Sequence, residues 1–154
     1  MTDDFDRALL DALQRNGLAT ADQLATEVPL SPSAIARRVR RLRGDGTIAA
    51  TRAVLGEGLL GRRLRALVTV QLHDHAPAGG LAALRAQLVA LPQVQLCLEI
   101  SGPSDLVLLV SVADMPAFNE FADTHLAGNP VVRRYETAFV KKALKFTTTA
   151  PLAD

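Results

Sequence analysis

Residues 30–46 read LSPSAIARRVRRLRGDG, and what this stretch builds decides the fold. Ser31 followed by Pro32 is a helix start: a hydroxyl able to accept an orphan amide, then a proline whose missing N–H costs nothing at the first helical position. Gly46 supplies the matching stop. At about 100° per residue, Ile35, Val39 and Leu42 fall in one narrow arc, with Arg37 and Arg41 opposite, Ser33 and Ala34 flanking that pair and Arg40 beside them. One face is core and the other is cationic. Arg37, Arg38, Arg40, Arg41 and Arg43 fall within seven positions, out of 17 Lys and Arg in the chain. Without acidic i+4 partners inside the cluster they repel one another if left unpaired, which favours an anionic partner over a solvated face.

Upstream, Phe5, Leu9 and Leu13 recur at four-residue spacing between Asp3 and Asn16, with Leu10 and Ala12 on the same side, so a first amphipathic helix is predicted there, N-capped by Asp3 and stopped by Gly17. Thr20-Ala21-Asp22-Gln23 has the form of a capping box, starting a second, shorter helix that Pro29 ends near Val28. Downstream, residues 47–54 read as one arm of a short β-hairpin. Three close helices and a hairpin make a winged helix-turn-helix head, whose third helix enters the major groove of DNA. Ser33, Ala34, Arg37 and Arg41 are then the base-reading candidates, Ser31 belongs to the same helix start, and Arg38, Arg40, Arg43 and Arg52 of the wing are phosphate contacts.

Gly56, Gly58 and Gly61 mark a linker over residues 55–63 where regular structure should lapse. Beyond it the pattern changes. Leu64, Ala66, Val68, Val70 and Leu72 alternate as in a strand; Leu81, Leu84, Leu88 and Leu91 return to helical spacing until Pro92. Two apolar runs, 94–101 and 106–112, flank the turn Gly102-Pro103-Ser104-Asp105. Asp114 caps a helix carrying Phe118, Phe121, Ala122, His125 and Leu126, and a last strand runs over 131–140. The fold class is therefore α+β: a winged helix-turn-helix domain at 1–54, then a ferredoxin-like βαββαβ domain at 64–149, with a flexible tail at 150–154. Helices on one sheet face leave the other to be covered, and a second subunit does that economically. The segment 141–147 is a candidate to pair with a partner's sheet edge.

Composition narrows the field. The chain has 154 residues, 49% hydrophobic and 21% charged, with net charge +1, which describes a globular protein too short for a barrel enzyme of about 250 residues. One cysteine, Cys97, permits no intrachain disulfide and no zinc cluster, and reads as a small buried hydrophobe. The acidic start Asp3-Asp4-Phe5-Asp6 is no export signal, and no apolar run reaches the length of a membrane span, so a cytoplasmic location without membrane contact is expected. His73-Asp74-His75 lacks the further ligands a metal site requires. No metal or cofactor is expected, and catalysis lacks a candidate residue.

Asp3-x-x-Asp6-x-x-x-Leu10, Leu30-Ser31-Pro32, Arg38-Val39-x-Arg41-Leu42 followed by Gly46-x-Ile48, and Cys97 ahead of Ser101-Gly102-x-x-Asp105 resemble the Lrp/AsnC (feast/famine) transcriptional regulators across nearly the whole chain. The resemblance implies a regulatory domain that dimerises through its sheet, with tetramers or octamers beyond, and a small effector such as an amino acid bound between regulatory domains at the loop matching Gly102, Pro103, Ser104 and Asp105. Where the family often has Gly-Asp-[Tyr/Phe]-Asp, this chain has lost a carboxylate, a ring and one N–H. Arg37 stands where an acidic or polar residue is frequent. The expected function is a sequence-specific regulator bound to double-stranded DNA. Its rivals are an enzyme like the sirohaem decarboxylases, of similar architecture, in which His73, His75 and His125 are the only histidines, and a protein that coats DNA without regulating a promoter.

Overall fold

The computed structural model describes residues 2–75 and 77–152. The chain divides into two compact units, Met1–Val54 with Lys145–Asp154, and Leu55–Leu144.

The first unit contains α1 (Asp4–Arg15), α2 (Ala21–Leu24) and α3 (Pro32–Gly44). Each begins at the cap its sequence offers. Asp3 accepts from the Asp6 amide at 2.8 Å while Asp6 reaches back to the Asp3 amide, and Thr20 and Gln23 repeat the reciprocal arrangement at α2. Ser31 accepts from the Ala34 amide, with Pro32 at the first position of α3. Leu9, Ala12, Leu24, Val28 and Ile35 form the core, and Leu42 is fully buried. Gly46 closes α3 at φ +80°, in the left-handed region where a side chain is strained.

The expected wing hairpin is not formed. Residues 47–54 run without strand structure, exposed except for Ile48. A lone two-stranded hairpin is marginal in water, and these residues bury too little apolar surface to hold one. A β-carbon at Gly17 would lie 2.9 Å from Thr51 Cγ2, so the segment passes close against the exit of α1. Of the tail expected to be flexible, residues 150–152 are described and residues 153–154 lie outside the described residues. Gln14 Nε2 donates to the Ala150 carbonyl at 2.9 Å, and the Ala150 amide donates to Gln14 Oε1 at 2.8 Å. A side-chain amide thus pairs with both backbone polar groups of one residue and ties Ala150 to α1.

In the second unit, the glycine-rich stretch is not wholly irregular as expected. One helical turn, α4 (Glu57–Leu60), forms on the Gly56 carbonyl, which accepts from Leu59 and Leu60. Then follow β1 (Leu64–Leu72), α5 (Ala78–Ala90), β2 (Val94–Glu99), β3 (Leu106–Val112), α6 (Met115–Ala122), a π-helical turn (Asp123–Ala127) and β4 (Val132–Phe139). This is the βαββαβ order, and the antiparallel sheet runs β2-β3-β1-β4. Ala66, Val68 and Val70 of β1 and Leu106, Leu108 and Val110 of β3 pack with Leu84 and Leu88 of α5 and with Phe118 and Phe121 of α6. Phe118 meets Phe139 edge-on at 5.2 Å. α5 comes so near the last crossover that a β-carbon at Gly80 would sit 2.8 Å from Val131 Cγ1.

On the other sheet face, register places Leu96 and Leu98 of β2, Val107 and Leu109 of β3 and Leu67 of β1 side by side. Leu67, Leu96 and Leu98 are exposed. The outer face of β1 is otherwise polar, with Arg65, Thr69 and Gln71, so the apolar row there is supplied by Leu67 together with β2 and β3.

Candidate nucleic-acid interface

The basic helix α3 is not uniformly free. Asp6 projects from α1 along the stripe of Leu9 and Leu13 and is only 1% exposed. Arg38 Nη1 donates to Asp6 Oδ1 at 2.9 Å and to Asp3 Oδ2 at 2.7 Å, while Arg41 Nη2 donates to Asp6 Oδ2 at 2.5 Å. Arg41 also lies 3.8 Å from Asp45. Arg38 stands over the Phe5 ring at 5.7 Å. Two of the five clustered cations are thus joined to the carboxylates of Asp3 and Asp6.

Electrostatics follow the geometry. Burial pushes the Asp6 carboxyl up, but the hydrogen bonds from Arg41, Arg38 and the Asp3 amide outweigh it and hold the group below its ordinary value. The Asp6 amide, then Arg38, lower Asp3 as well. Arg38 is raised, first by Asp3 and then by Asp6. Asp45, past the end of α3, is lowered by the hydroxyl and amide of Thr47.

Arg37, Arg40 and Arg43 are exposed and form no ion pair with the described residues. They share the solvent side of α3 with Ser33, whose hydroxyl lies 3.2 Å from that of Ser31, and Ala34 is half-buried at the helix start. Arg52 is exposed in the extended segment. The exposed side of α3 thus presents small side chains near its start and unneutralised guanidinium groups along its length, an arrangement suited to a polyanion. Sequence reading missed the buried carboxylate, although a signal existed: Asp6 interrupts an otherwise apolar stripe of α1, where a charge requires a partner.

In the second unit the Gly102–Asp105 turn is pinned to β1. The Asp105 amide donates to the Val70 carbonyl at 2.9 Å, Asp105 Oδ2 accepts from the Leu72 amide at 2.7 Å, and Gln71 Nε2 donates to the Pro103 carbonyl at 2.7 Å. The Leu72 amide is available because the β1–β3 pairing ends at Val70 and Leu106. Cys97 is half-buried against the core, where burial and then Glu99 push its thiol up, in keeping with an inert packing role. Among the described residues no group of three or more metal-ligating side chains occurs, and no helix is long and apolar enough to cross a membrane.

A helix-turn-helix unit with a cationic third helix, joined to an open-faced α+β unit, defines the class of DNA-binding transcriptional regulators that carry a ligand-binding domain. Residues 3–43 match the AsnC-type helix-turn-helix domain and residues 65–150 the Lrp/AsnC ligand binding domain. The chain belongs to the Lrp/AsnC family of transcriptional regulators. It is 34% identical to the leucine-responsive regulatory protein of Haemophilus influenzae over 94% of this chain and 87% of that protein. It superposes on a transcriptional regulator of Neisseria meningitidis in complex with L-methionine at TM-score 0.88, with 30% identity, over 99% and 97% of the two chains. The feast or famine regulatory protein of M. tuberculosis complexed with L-methionine matches at TM-score 0.80 and 29% identity, over 96% and 97%.

Proposed function

We propose that this chain is a sequence-specific regulator that grips duplex DNA through α3 and is tuned by a small effector. The observation that carries the reading is the unneutralised guanidinium face of α3, Arg37, Arg40 and Arg43, beside the small residues Ser33 and Ala34. In this reading Ser33, Ala34 and Arg37 meet base edges, Ser31 and the helix start meet a phosphate, and Arg40, Arg43 and Arg52 neutralise the backbone. Arg38 and Arg41 spend their hydrogen bonds on α1 and orient the recognition helix. The open sheet face supports a homodimer that sets two heads on successive major grooves, about 34 Å apart or a multiple of it. Higher assemblies can be built on that dimer. An amino-acid effector at the Gly102–Asp105 loop is supported by the L-methionine complexes of two similar structures. The activity is regulation rather than catalysis, carried out in the cytoplasm on double-stranded DNA.

Competition binding of purified full-length chain against genomic fragments and random duplex tests this. A preference of about 10³ or more for particular fragments is expected. A ratio near unity replaces regulation with coating, and no binding at low ionic strength ends the reading.

A further inference from the structure

The head is not made of one stretch of chain. Its compact unit takes in Lys145–Asp154 as well as Met1–Val54. Residues 145–152 run without regular structure, and a segment with no helix or sheet of its own keeps a course only where other groups offset the entropy of ordering it. Gln14 is such a group. Its half-buried side chain, in the last turn of α1, gives Nε2 to the Ala150 carbonyl at 2.9 Å and takes the Ala150 amide on Oε1 at 2.8 Å.

Three features meet at this exit of α1. Leu13, next to Gln14, lines a cleft together with Arg40 and Arg43 of α3. Gly17, just past the end of the helix, passes so near the extended segment 47–54 that a β-carbon on it would lie 2.9 Å from Thr51 Cγ2, and Arg52 follows Thr51. Ala150 brings the C-terminal segment to the same turn. Lys145 lies five residues before Ala150, so even a fully extended chain keeps its backbone within roughly 18 Å of that tie. Its side chain is exposed and forms no ion pair with the described residues, a condition it shares with Arg40, Arg43 and Arg52. Like charges gathered about one helix end repel one another in water and are drawn to a polyanion.

We propose that residues 145–152 belong to the DNA-contacting surface of the head, with Lys145 a further phosphate contact that the Gln14–Ala150 tie holds in place beside Arg40, Arg43 and Arg52. This rests on the reading of α3 as the helix that grips DNA. A hairpin wing built from residues 47–54 would have supplied flanking contacts within one stretch. Here two extended segments, one on each side of the larger unit in the sequence, supply them together. A contact to phosphate positions the protein and reads no base, so Lys145 adds affinity for every sequence alike.

Fluorescence anisotropy of the full-length chain with a labelled random-sequence duplex, followed across salt concentrations, tests this on wild type, Lys145→Gln, Gln14→Leu, the double variant and Arg40→Gln. Lys145→Gln is expected to make the log-log salt slope shallower by about 1 and to leave the melting temperature unchanged. Arg40→Gln should lower the slope too, and it reports on α3 alone. Gln14→Leu should weaken binding about threefold or more in the wild-type background, because a released segment must be ordered anew when DNA binds. In the Lys145→Gln background it should have no effect, since the segment then has no cation to place. A slope lowered by Arg40→Gln but unmoved by Lys145→Gln overturns this inference and spares the reading of α3. A slope unmoved by either variant overturns both. An equal loss from Gln14→Leu in the two backgrounds makes the tie a brace for α1 alone and overturns its part in binding DNA.

Discussion

At the scale of the residue, Asp6 organises the head. It caps α1 from within, is closed off from water, and accepts from two arginines of α3. A carboxyl held below its ordinary value in the folded state favours folding while it is ionised. The contribution is therefore complete above the ordinary aspartate value of 3.8 and is lost as the pH falls through it toward the lowered folded value. Urea unfolding followed by circular dichroism should show the head losing stability below about pH 4. Asp6→Asn should flatten that dependence and destabilise the head at neutral pH by about 2 kcal/mol, because the negative charge is lost and an NH2 group faces one of the two guanidinium groups in place of an acceptor oxygen. A dependence identical to wild type would remove Asp6 from this role. The division of labour among the arginines is equally testable. Arg37→Ala should relax the choice of base at one operator position and cost about 1–3 kcal/mol. Arg41→Ala should instead lower the melting temperature and weaken all sequences alike. Binding-site selection on both variants separates the outcomes, and base-selective loss on Arg41→Ala would return that residue to the DNA. The arginine cluster was legible in the sequence because it is local. Its partition was not, because the accepting carboxylate lies 32 and 35 positions away.

At the scale of the element, the starts of helices were the most legible features, since capping is local chemistry. Ser31-Pro32, Thr20 with Gln23, and Asp114 all cap where their spacing indicated. The hairpin expected of residues 47–54 was less secure because a strand depends on a partner the local pattern does not supply. Likewise Gly56, Gly58 and Gly61 argued against structure, yet a single helical turn needs only one accepting carbonyl to begin, and Gly56 provides it. The end of α3 depends on Gly46 at φ +80°. Gly46→Val should cost about 1–2 kcal/mol in the head, since a β-branched side chain is strained in that conformation. Denaturant titration reads this directly, and an unchanged midpoint would mean the turn relaxes elsewhere.

At the scale of the whole molecule, each unit has its own core, and the larger leaves a row of leucines on the uncovered side of its sheet. A patch of Leu67, Leu96 and Leu98 in water is costly for a domain of this size. Leu98→Asp is therefore expected to shift the protein toward monomer and to reduce DNA affinity, as heads lose their pairing. Sedimentation velocity checks the first and binding titration the second. A variant that sediments like wild type would put the subunit contact elsewhere. The βαββαβ order could be read from alternating periodicities, whereas the bonds from Gln71 to Pro103 and from Leu72 to Asp105 could not, because they join residues 32 and 33 positions apart. One further feature bears on how the chain is made. Gln14 and Ala150, which clasp one another, are 136 positions apart, so a nascent head with its helices already packed must wait for that whole stretch to be made before this fastening can close.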